Sequence, residues 1–170
     1  MKLSVLLYVY LFLQLLAVAY IDFKYKKISN KWSLLNIILF VTALFVFPNS
    51  YSFKFETFFY PLAFLLVGFG LFALRIMGGG DSKYLFSFFL LIPEIYHETF
   101  MLYLLYTTVF VGSLFLIHNT IENFDKVIIS IKIMDIKGIK SCYGTKFAYA
   151  PVILVSWIIF GWMIREELIF

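Results

Sequence analysis

The chain has 170 residues, of which 63% are hydrophobic, 22% are aromatic and only 14% are charged, and its mean hydropathy is +0.95. A soluble domain of this size needs far more polar surface, so the composition excludes an ordinary soluble globular protein and indicates lipid as the solvent for most of the chain. The net charge of +4 is more informative by its distribution along the chain than by its sum.

Six apolar segments follow one another along the sequence. Five of them approach the roughly 20 residues that a transmembrane helix needs. The segment at 82–93 is shorter, and its 12 residues would reach only about 18 Å as a helix. The first segment lacks the small-x-small cleavage site of a signal peptide, so we predict a retained helix. The sequence therefore predicts a single all-α membrane domain, residues 1–170, built as a bundle of about six transmembrane helices. The five longer segments lie near residues 3–21, 32–48, 57–77, 99–118 and 147–164.

Basic residues are concentrated in three of the connections between these segments. Six alternating spans place the three connections on one side of the membrane, which then holds eleven of the fourteen basic residues. The positive-inside rule makes that side cytoplasmic and places both chain termini outside. We therefore expect a multi-pass protein of the plasma (inner) membrane whose basic loops meet lipid and need no nucleic-acid partner. The eleven residues are Lys24, Lys26, Lys27, Lys31, Arg75, Lys83, Lys126, Lys132, Lys137, Lys140 and Lys146.

The connection from about 119 to 146 is the only sizeable polar region. Its stretch KVIISIKIMDIKGIK places isoleucines in alternation at positions 129, 131 and 133. This pattern fits a short strand or an amphipathic segment on the cytoplasmic membrane surface. A solvated connector that only touches the membrane is a third interpretation, and periodicity does not decide among them.

Two of the ten acidic residues, Asp22 and Asp81, lie at helix boundaries within apolar sequence. Asp22 ends the first predicted helix and Asp81 opens the fourth, so both fall at the cytoplasmic face. An ionisable group is costly there unless it faces the bundle interior or water. Two carboxylates within hydrogen-bond distance share one proton, so the ionised one can take a proton from water while the protonated one polarises a peptide carbonyl. The pair is therefore compatible with hydrolysis that uses neither a metal nor a covalent intermediate.

Three glycines, Gly78, Gly79 and Gly80, directly precede Asp81. Glycine accepts positive φ and lets another backbone approach closely. Non-helical backbone at membrane depth is tolerated only beside protein or a water-lined cavity. We therefore expect these glycines to offer backbone N–H and C=O groups to an extended peptide near Asp81.

Other interpretations of the two aspartates stay open on the residues alone. Gly-Gly-Gly-Asp also fits a tight turn with Asp81 as a helix N-cap, and Asp22 also fits an interfacial charge beside lysines. In a non-catalytic membrane subunit or a small transporter, the same pair would carry a proton or bind a cation. We expect no metal site, because the single cysteine, Cys142, has no partner and neither His97 nor His118 lies beside an acidic pair at ligand spacing.

The motif around the second aspartate resembles that of a known protease group. GGGDSK (78–83) resembles the GxGD signature of membrane aspartyl proteases, and Gly78, Gly80 and Asp81 occupy its defined positions. The motif alone is moderately specific, and it gains weight from a second one earlier in the chain.

That earlier motif, DFKYKKISN, resembles the other hallmark of the type IV prepilin peptidases, in which an Asp and five often basic residues precede Ile-Pro-Asn. Asp22, Ile28 and Asn30 match it, while Ser29 replaces the usual proline. The closing KFAYAPVILVSW extends the resemblance over nearly the whole chain.

The resemblance implies an integral inner-membrane aspartyl endopeptidase whose catalytic residues are Asp22 and Asp81. Such an enzyme removes the short basic leader from prepilins or pilin-like proteins at the cytoplasmic face. Larger family members carry an additional N-terminal region with paired CxxC motifs, whereas this sequence is similar to the short forms of tight-adherence (Tad/Flp) pili or to archaeal preflagellin peptidases. We therefore expect cleavage without methylation and no cofactor, S-adenosylmethionine included.

Supporting roles are expected for residues close to the two motifs. We expect the backbone of Gly78, Gly79 and Gly80 to contact substrate. Lys83 would pair with a carboxylate or with lipid phosphate at the membrane surface. Asn30, together with Ser29, would either cap the second helix or contact substrate.

Overall fold

A computed structural model describes residues 3–48, 50–73, 78–133, 135 and 148–168. Their regular structure is helical, which confirms the predicted all-α architecture for this part of the chain. Arg75, Cys142 and most of the stretch from 134 to 147 lie outside the described residues. The elements are α1 (Val5–Tyr25), α2 (Asn30–Val46), α3 (Phe55–Ala73), α4 (Gly79–Leu91), a 3-10 turn (Glu94–Tyr96), α5 (His97–Glu122), α6 (Phe124–Lys132) and α7 (Ala150–Met163).

The outside of the bundle is strongly apolar. Large side chains such as Leu6 (82% exposed), Phe45 (82%) and Phe110 (66%) stand on its surface. Exposing such side chains to water costs free energy, whereas hydrocarbon accommodates them. Helix α1 and the stretch Glu94–Glu122 are long and apolar enough to cross a membrane by length and composition. These features agree with a helical membrane protein.

Helix α4 lies at the centre of the fold. Nine of its 13 residues are buried. It packs against α2 and α3, while α7 packs against α1 and α5, so the helices form two groups. The groups meet at aromatic side chains: Phe88 of α4 contacts Trp157 of α7 edge to face at 5.2 Å between ring centroids, and Phe100 of α5 packs against both.

Helix α4 is short because its C-terminal end is capped inside the protein. The last carbonyls of a helix have no partner within the helix. The Tyr51 hydroxyl donates to the Leu91 carbonyl at 2.7 Å. Nε2 of the fully buried His97 lies 2.9 Å from the carbonyl of Phe89 and 2.8 Å from that of Ile92, so this nitrogen carries the proton and donates to both. Side chains thus allow the predicted 82–93 segment to end within the bundle.

Contacts between loops gather at two opposite ends of the bundle. At one end, Thr57 Oγ1 donates to the Ser52 carbonyl at 2.9 Å and lies 3.2 Å from Glu94 Oε2, and the Tyr96 hydroxyl donates to Glu167 Oε2 at 3.0 Å. The other end holds the start of α2, α4 and α7 and the end of α1. This alternating order is the one that successive antiparallel spans require.

The segment after α5 is helical where the structure describes it. Helix α6 covers Phe124–Lys132, so the strand interpretation is wrong for these residues. Val127 is buried, whereas Ile129 and Ile133 are exposed. Phe124, Val127 and Ile128 fall at helical spacing, which explains why alternating isoleucines did not make a strand here.

Candidate active site

Asp22 lies in the last turn of α1, and its carboxylate is enclosed by protein. The residue is only 2% exposed. Its Oδ2 accepts a 3.0 Å hydrogen bond from the backbone N–H of Ala150, the first residue of α7. The next turn ends α1, where Lys26 adopts the left-handed conformation (φ 51°) and its N–H bonds to the Asp22 carbonyl. Asp22 is therefore a buried group that is enclosed by protein, which disfavours its interpretation as a charge exposed beside the lysines.

Asp81 is the third residue of α4 and is 6% exposed. Its Oδ2 accepts from the N–H of Gly78 at 3.1 Å, as the third residue of a capping box does, so the N-cap of α4 is Gly78 and the prediction of Asp81 as the N-cap is wrong. Asp22 and Asp81 lie at the same end of the bundle, where Ile28 of the loop after α1 contacts Gly80 beside Asp81. Within the part of the chain that the structure describes, no lysine or arginine forms an ion pair with either group.

The two motifs touch at Gly80. A Cβ built on Gly80 would lie 2.6 Å from the backbone carbonyl oxygen of Ile28, so only glycine fits at this position. The described glycines do not use the positive φ that glycine tolerates, and Gly78 has φ −75° and ψ 142°. Gly80 lies within α4, which begins at Gly79, so its backbone torsion does not require glycine. Glycine is required at position 80 because a side chain there would collide with the Ile28 carbonyl.

The supporting residues occupy the edge of this end of the bundle. Ser29 is the N-cap of α2, and its Oγ accepts from the N–H of Lys31 at 3.4 Å, which confirms the capping interpretation. Asn30 is exposed as the first residue of α2. Lys83 is also exposed, and no described carboxylate forms an ion pair with it. The structure thus joins Asp22, Asp81 and the glycines, and leaves Asn30 and Lys83 at the surface.

Two neighbouring residues of this site, Tyr149 and Ala150, were not predicted. Ala150 supplies the donor to Asp22, and Asp81 acts electrostatically on Tyr149. The Tyr149 hydroxyl lies 2.9 Å from Thr108 Oγ1. Thr108 donates its single hydrogen to the Leu104 carbonyl at 2.6 Å, so Tyr149 is the donor in the pair. Pro at the second position of α7 signals a helix start and would have located the Ala150 N–H.

A cavity or a metal site would be another feature that could bind a ligand. A cavity of about 460 Å³ lies at the opposite end of the bundle, between α1 and α2, and is lined by Leu6, Tyr10, Val46 and Tyr51 among others. Its lining residues come mainly from the start of α1 and the end of α2, whereas Asp22 lies at the end of α1 and Asp81 at the start of α4. Among the described residues, no group of three or more His, Cys, Asp or Glu side chains could hold a metal ion.

In the described part of the chain, fold and site together define a helical protein with an apolar surface and two buried carboxylates, Asp22 and Asp81, at one end. The family model described as the type IV leader peptidase family matches residues 9–117, which is more than half of the chain and includes both aspartates. The chain therefore belongs to the type IV leader peptidase family, and the predicted resemblance is confirmed. Membership gives it a leader peptidase-like, proteolytic function. No match is found among curated proteins or among solved structures.

Proposed function

We propose that the chain is a membrane aspartyl endopeptidase that removes the short basic leader from prepilins or pilin-like proteins at the cytoplasmic face of the plasma membrane. The observation that carries this proposal is the pairing of Asp22 and Asp81. They come from two different helices, both are buried, and the segment that follows Asp22 contacts the start of the helix that carries Asp81. Both also lie inside the matched family region.

The proposed topology has six spans, formed by α1 to α5 and α7. The end that holds Asp22 and Asp81 is cytoplasmic in this topology, because the basic connections lie there. Helix α4, with 13 residues, extends only about 20 Å, less than the roughly 30 Å hydrocarbon core. Helix α4 lies between α2 and α3, so its ends meet protein instead of lipid. Non-helical backbone at membrane depth is tolerated only in such surroundings or beside a water-filled cavity.

In the proposed reaction, the dyad holds one shared proton. The ionised carboxylate takes a proton from water, and the water oxygen forms a bond to the carbonyl carbon of the scissile peptide. The protonated carboxyl hydrogen-bonds the carbonyl oxygen and then donates its proton to the leaving nitrogen as the C–N bond breaks. The products are a leader with a new carboxylate and a mature protein with a new amino terminus, and the dyad again holds one proton.

Backbone donors orient both carboxylates for this reaction. The Ala150 N–H holds Oδ2 of Asp22, and the Gly78 N–H holds Oδ2 of Asp81. We assign the other oxygen of each carboxylate to the shared proton and to water. Preorganised groups of this kind lower the barrier because they need no rearrangement during the reaction. The start of α4, at Gly78 to Gly80, is the proposed contact for the substrate backbone.

The test is co-expression of the chain with candidate prepilins, with leader removal scored by mobility shift. Asp22→Asn and Asp81→Asn should each abolish cleavage, because an amide cannot accept the proton from water. Asp125→Asn, at an exposed position of α6, is the matched control and should cleave normally. Near-normal processing by either dyad variant would refute the proposal. Proton or cation flux in vesicles that depends on both aspartates, without proteolysis, would favour the transporter alternative.

A further inference from the structure

Four buried polar side chains form a closed set of hydrogen bonds in the middle of the bundle. The Tyr84 hydroxyl of α4 donates to Gln14 Oε1 of α1 at 3.2 Å, and Gln14 Nε2 donates to Asn36 Oδ1 of α2 at 2.6 Å. Asn36 Nδ2 then donates to Ser87 Oγ at 3.4 Å, and Ser87 donates to the carbonyl of Tyr84 at 2.9 Å. We call these four residues the polar ring, because the bonds begin and end on Tyr84.

The polar ring is secluded and internally satisfied. Gln14 is 5% exposed, and the other three residues are fully buried. Both amide groups use their oxygen as an acceptor and their nitrogen as a donor, while the two hydroxyls each donate once. A polar group that is left unpaired in an apolar interior destabilises the fold. Each member therefore holds its neighbours in place.

The ring lies directly beneath the site on all three helices that build it. Gln14 precedes Asp22 by eight residues, which is about two turns or ~12 Å along the same face of α1. Tyr84 follows Asp81 by three residues on α4. Asn36 follows Ile28, whose carbonyl abuts Gly80, by eight residues. Helices α1 and α2 thus carry one ring residue each, Gln14 and Asn36, and α4 carries two, Tyr84 and Ser87.

The ring crosses the boundary between the two packing groups. Helix α1, which carries Asp22, packs chiefly on α7, whereas α4, which carries Asp81, packs chiefly on α2 and α3. The distance between the two carboxylates therefore depends on contacts that join one group to the other. The hydrogen bonds of Gln14 to Tyr84 and Asn36 are such contacts. A misplacement of about 1 Å between reacting groups can cost a factor of roughly 100 in rate.

We propose that the polar ring sets the separation of Asp22 and Asp81 by holding α1 against α2 and α4, with Gln14 as the principal positioning residue. The expected effect on leader cleavage rests on the proposed function, whereas the effect of the ring on the separation of the two aspartates does not. Gln14 is the principal residue because it is the ring's single member on α1.

The test compares two ring variants for distance, stability and cleavage. Gln14→Leu removes the bonds to α2 and α4 and leaves polar groups there unpaired. The triple variant Gln14→Leu/Asn36→Leu/Tyr84→Phe makes three of the four ring side chains apolar and leaves Ser87 its bond to the backbone carbonyl at position 84, within α4. Most of the lost stability should therefore return. Ser156→Ala is the control, since it deletes a fully buried hydroxyl that bonds only within its own helix, to Val152.

Distances are measured by electron paramagnetic resonance between spin labels at Phe23→Cys and Lys83→Cys, in a Cys142→Ser background. Both positions are exposed and adjoin the aspartates. We expect a broadened or shifted distance distribution in both ring variants and an unchanged one in Ser156→Ala. In unlabelled protein, kcat for leader cleavage should fall roughly 10–100-fold with KM little changed in both ring variants.

A label distance that stays unchanged in the triple variant overturns the proposal, whatever happens to cleavage. Near-normal kcat in a triple variant whose label distance has changed also overturns it. If the unaltered protein cleaves no leader, the proposed function fails, and the label distances alone then decide whether the ring positions the aspartates.

Discussion

The backbone N–H of Ala150 donates a 3.0 Å hydrogen bond to the Asp22 carboxylate across 128 positions of the sequence. Ala150 is the first residue of α7, so the positive end of that helix dipole faces a negative side chain. The family match ends at residue 117, before this helix begins. Helix α7 therefore completes a site whose two aspartates lie entirely within the matched region.

This bond predicts that two inactive Asp22 variants differ in stability. In Asp22→Asn the amide oxygen still accepts from Ala150, whereas Asp22→Ala leaves that N–H buried without an acceptor. Such a loss costs about 1–3 kcal/mol. We expect both variants to lack cleavage and the Ala variant to have the lower thermal midpoint in detergent or lipid discs. Equal midpoints would show that the bond adds nothing to stability.

The contact between Gly80 and Ile28 predicts a large effect from one methyl group. In Gly80→Ala, the new Cβ would meet the Ile28 carbonyl at 2.6 Å, and a backbone atom cannot move aside as a flexible side chain can. Overpacking of this kind costs about 1–3 kcal/mol. We expect a lower thermal midpoint and slower leader cleavage, because the segment that joins Asp22 to α2 must shift.

Gly112→Ala is the matched control for this substitution. No atom lies within 4 Å of a Cβ built there, and the position is inside α5. Alanine is favoured over glycine in a helix interior by about 1 kcal/mol. The two variants should therefore change stability in opposite directions, and a loss of the same size in both would refute the packing argument.

Helix positions and the acidic pair could be predicted because each depends on local properties of the sequence. Apolar length located the helices: the segments expected at 3–21 and 32–48 are Val5–Tyr25 and Asn30–Val46. A carboxylate in apolar sequence is costly wherever it lies, so Asp22 and Asp81 stood out as candidates before their burial was known.

The hydrogen-bond partners of Asp22 and of the polar ring could not be predicted, because they depend on how distant helices pack. Gln14 and Asn36 carry no charge and stand in apolar helices where any polar partner would satisfy them, so the sequence does not indicate the bond between them. The donor at Ala150 is a backbone N–H, and the alanine side chain carries no functional group, so the residue type does not indicate this contact.

The Ser29 departure from the family motif should be nearly neutral. Ser29 has φ −74° and ψ 137°, which lies within the range that proline fixes, about −65 ± 15°. The capping bond lost in Ser29→Pro is long at 3.4 Å, and the rigid ring also lowers the entropy of the unfolded chain. We expect cleavage within about twofold of the unaltered protein and an unchanged or higher thermal midpoint.

A proline four residues later provides the comparison. Ser33 is buried as the fourth residue of α2, where a proline ring would clash with the carbonyl four residues earlier, at a cost of up to about 3 kcal/mol. Ser33→Pro should therefore unfold or strongly destabilise the protein. Similar losses at positions 29 and 33 would mean that the start of α2 is not in the conformation described here.

The two histidines of the chain predict opposite outcomes for the same change. His97 donates to the carbonyls of Phe89 and Ile92 at the buried end of α4, so His97→Leu leaves both without this donor and should cost about 1–3 kcal/mol. Because Asp81 lies at the other end of the same helix, leader cleavage should fall as well. His118 is 68% exposed and lies 3.6 Å from Glu122 on the surface of α5, an arrangement that contributes little. His118→Leu should leave both the thermal midpoint and cleavage unchanged. If His97→Leu proves equally silent, the capping of α4 by side chains does not explain how so short a helix is held within the bundle.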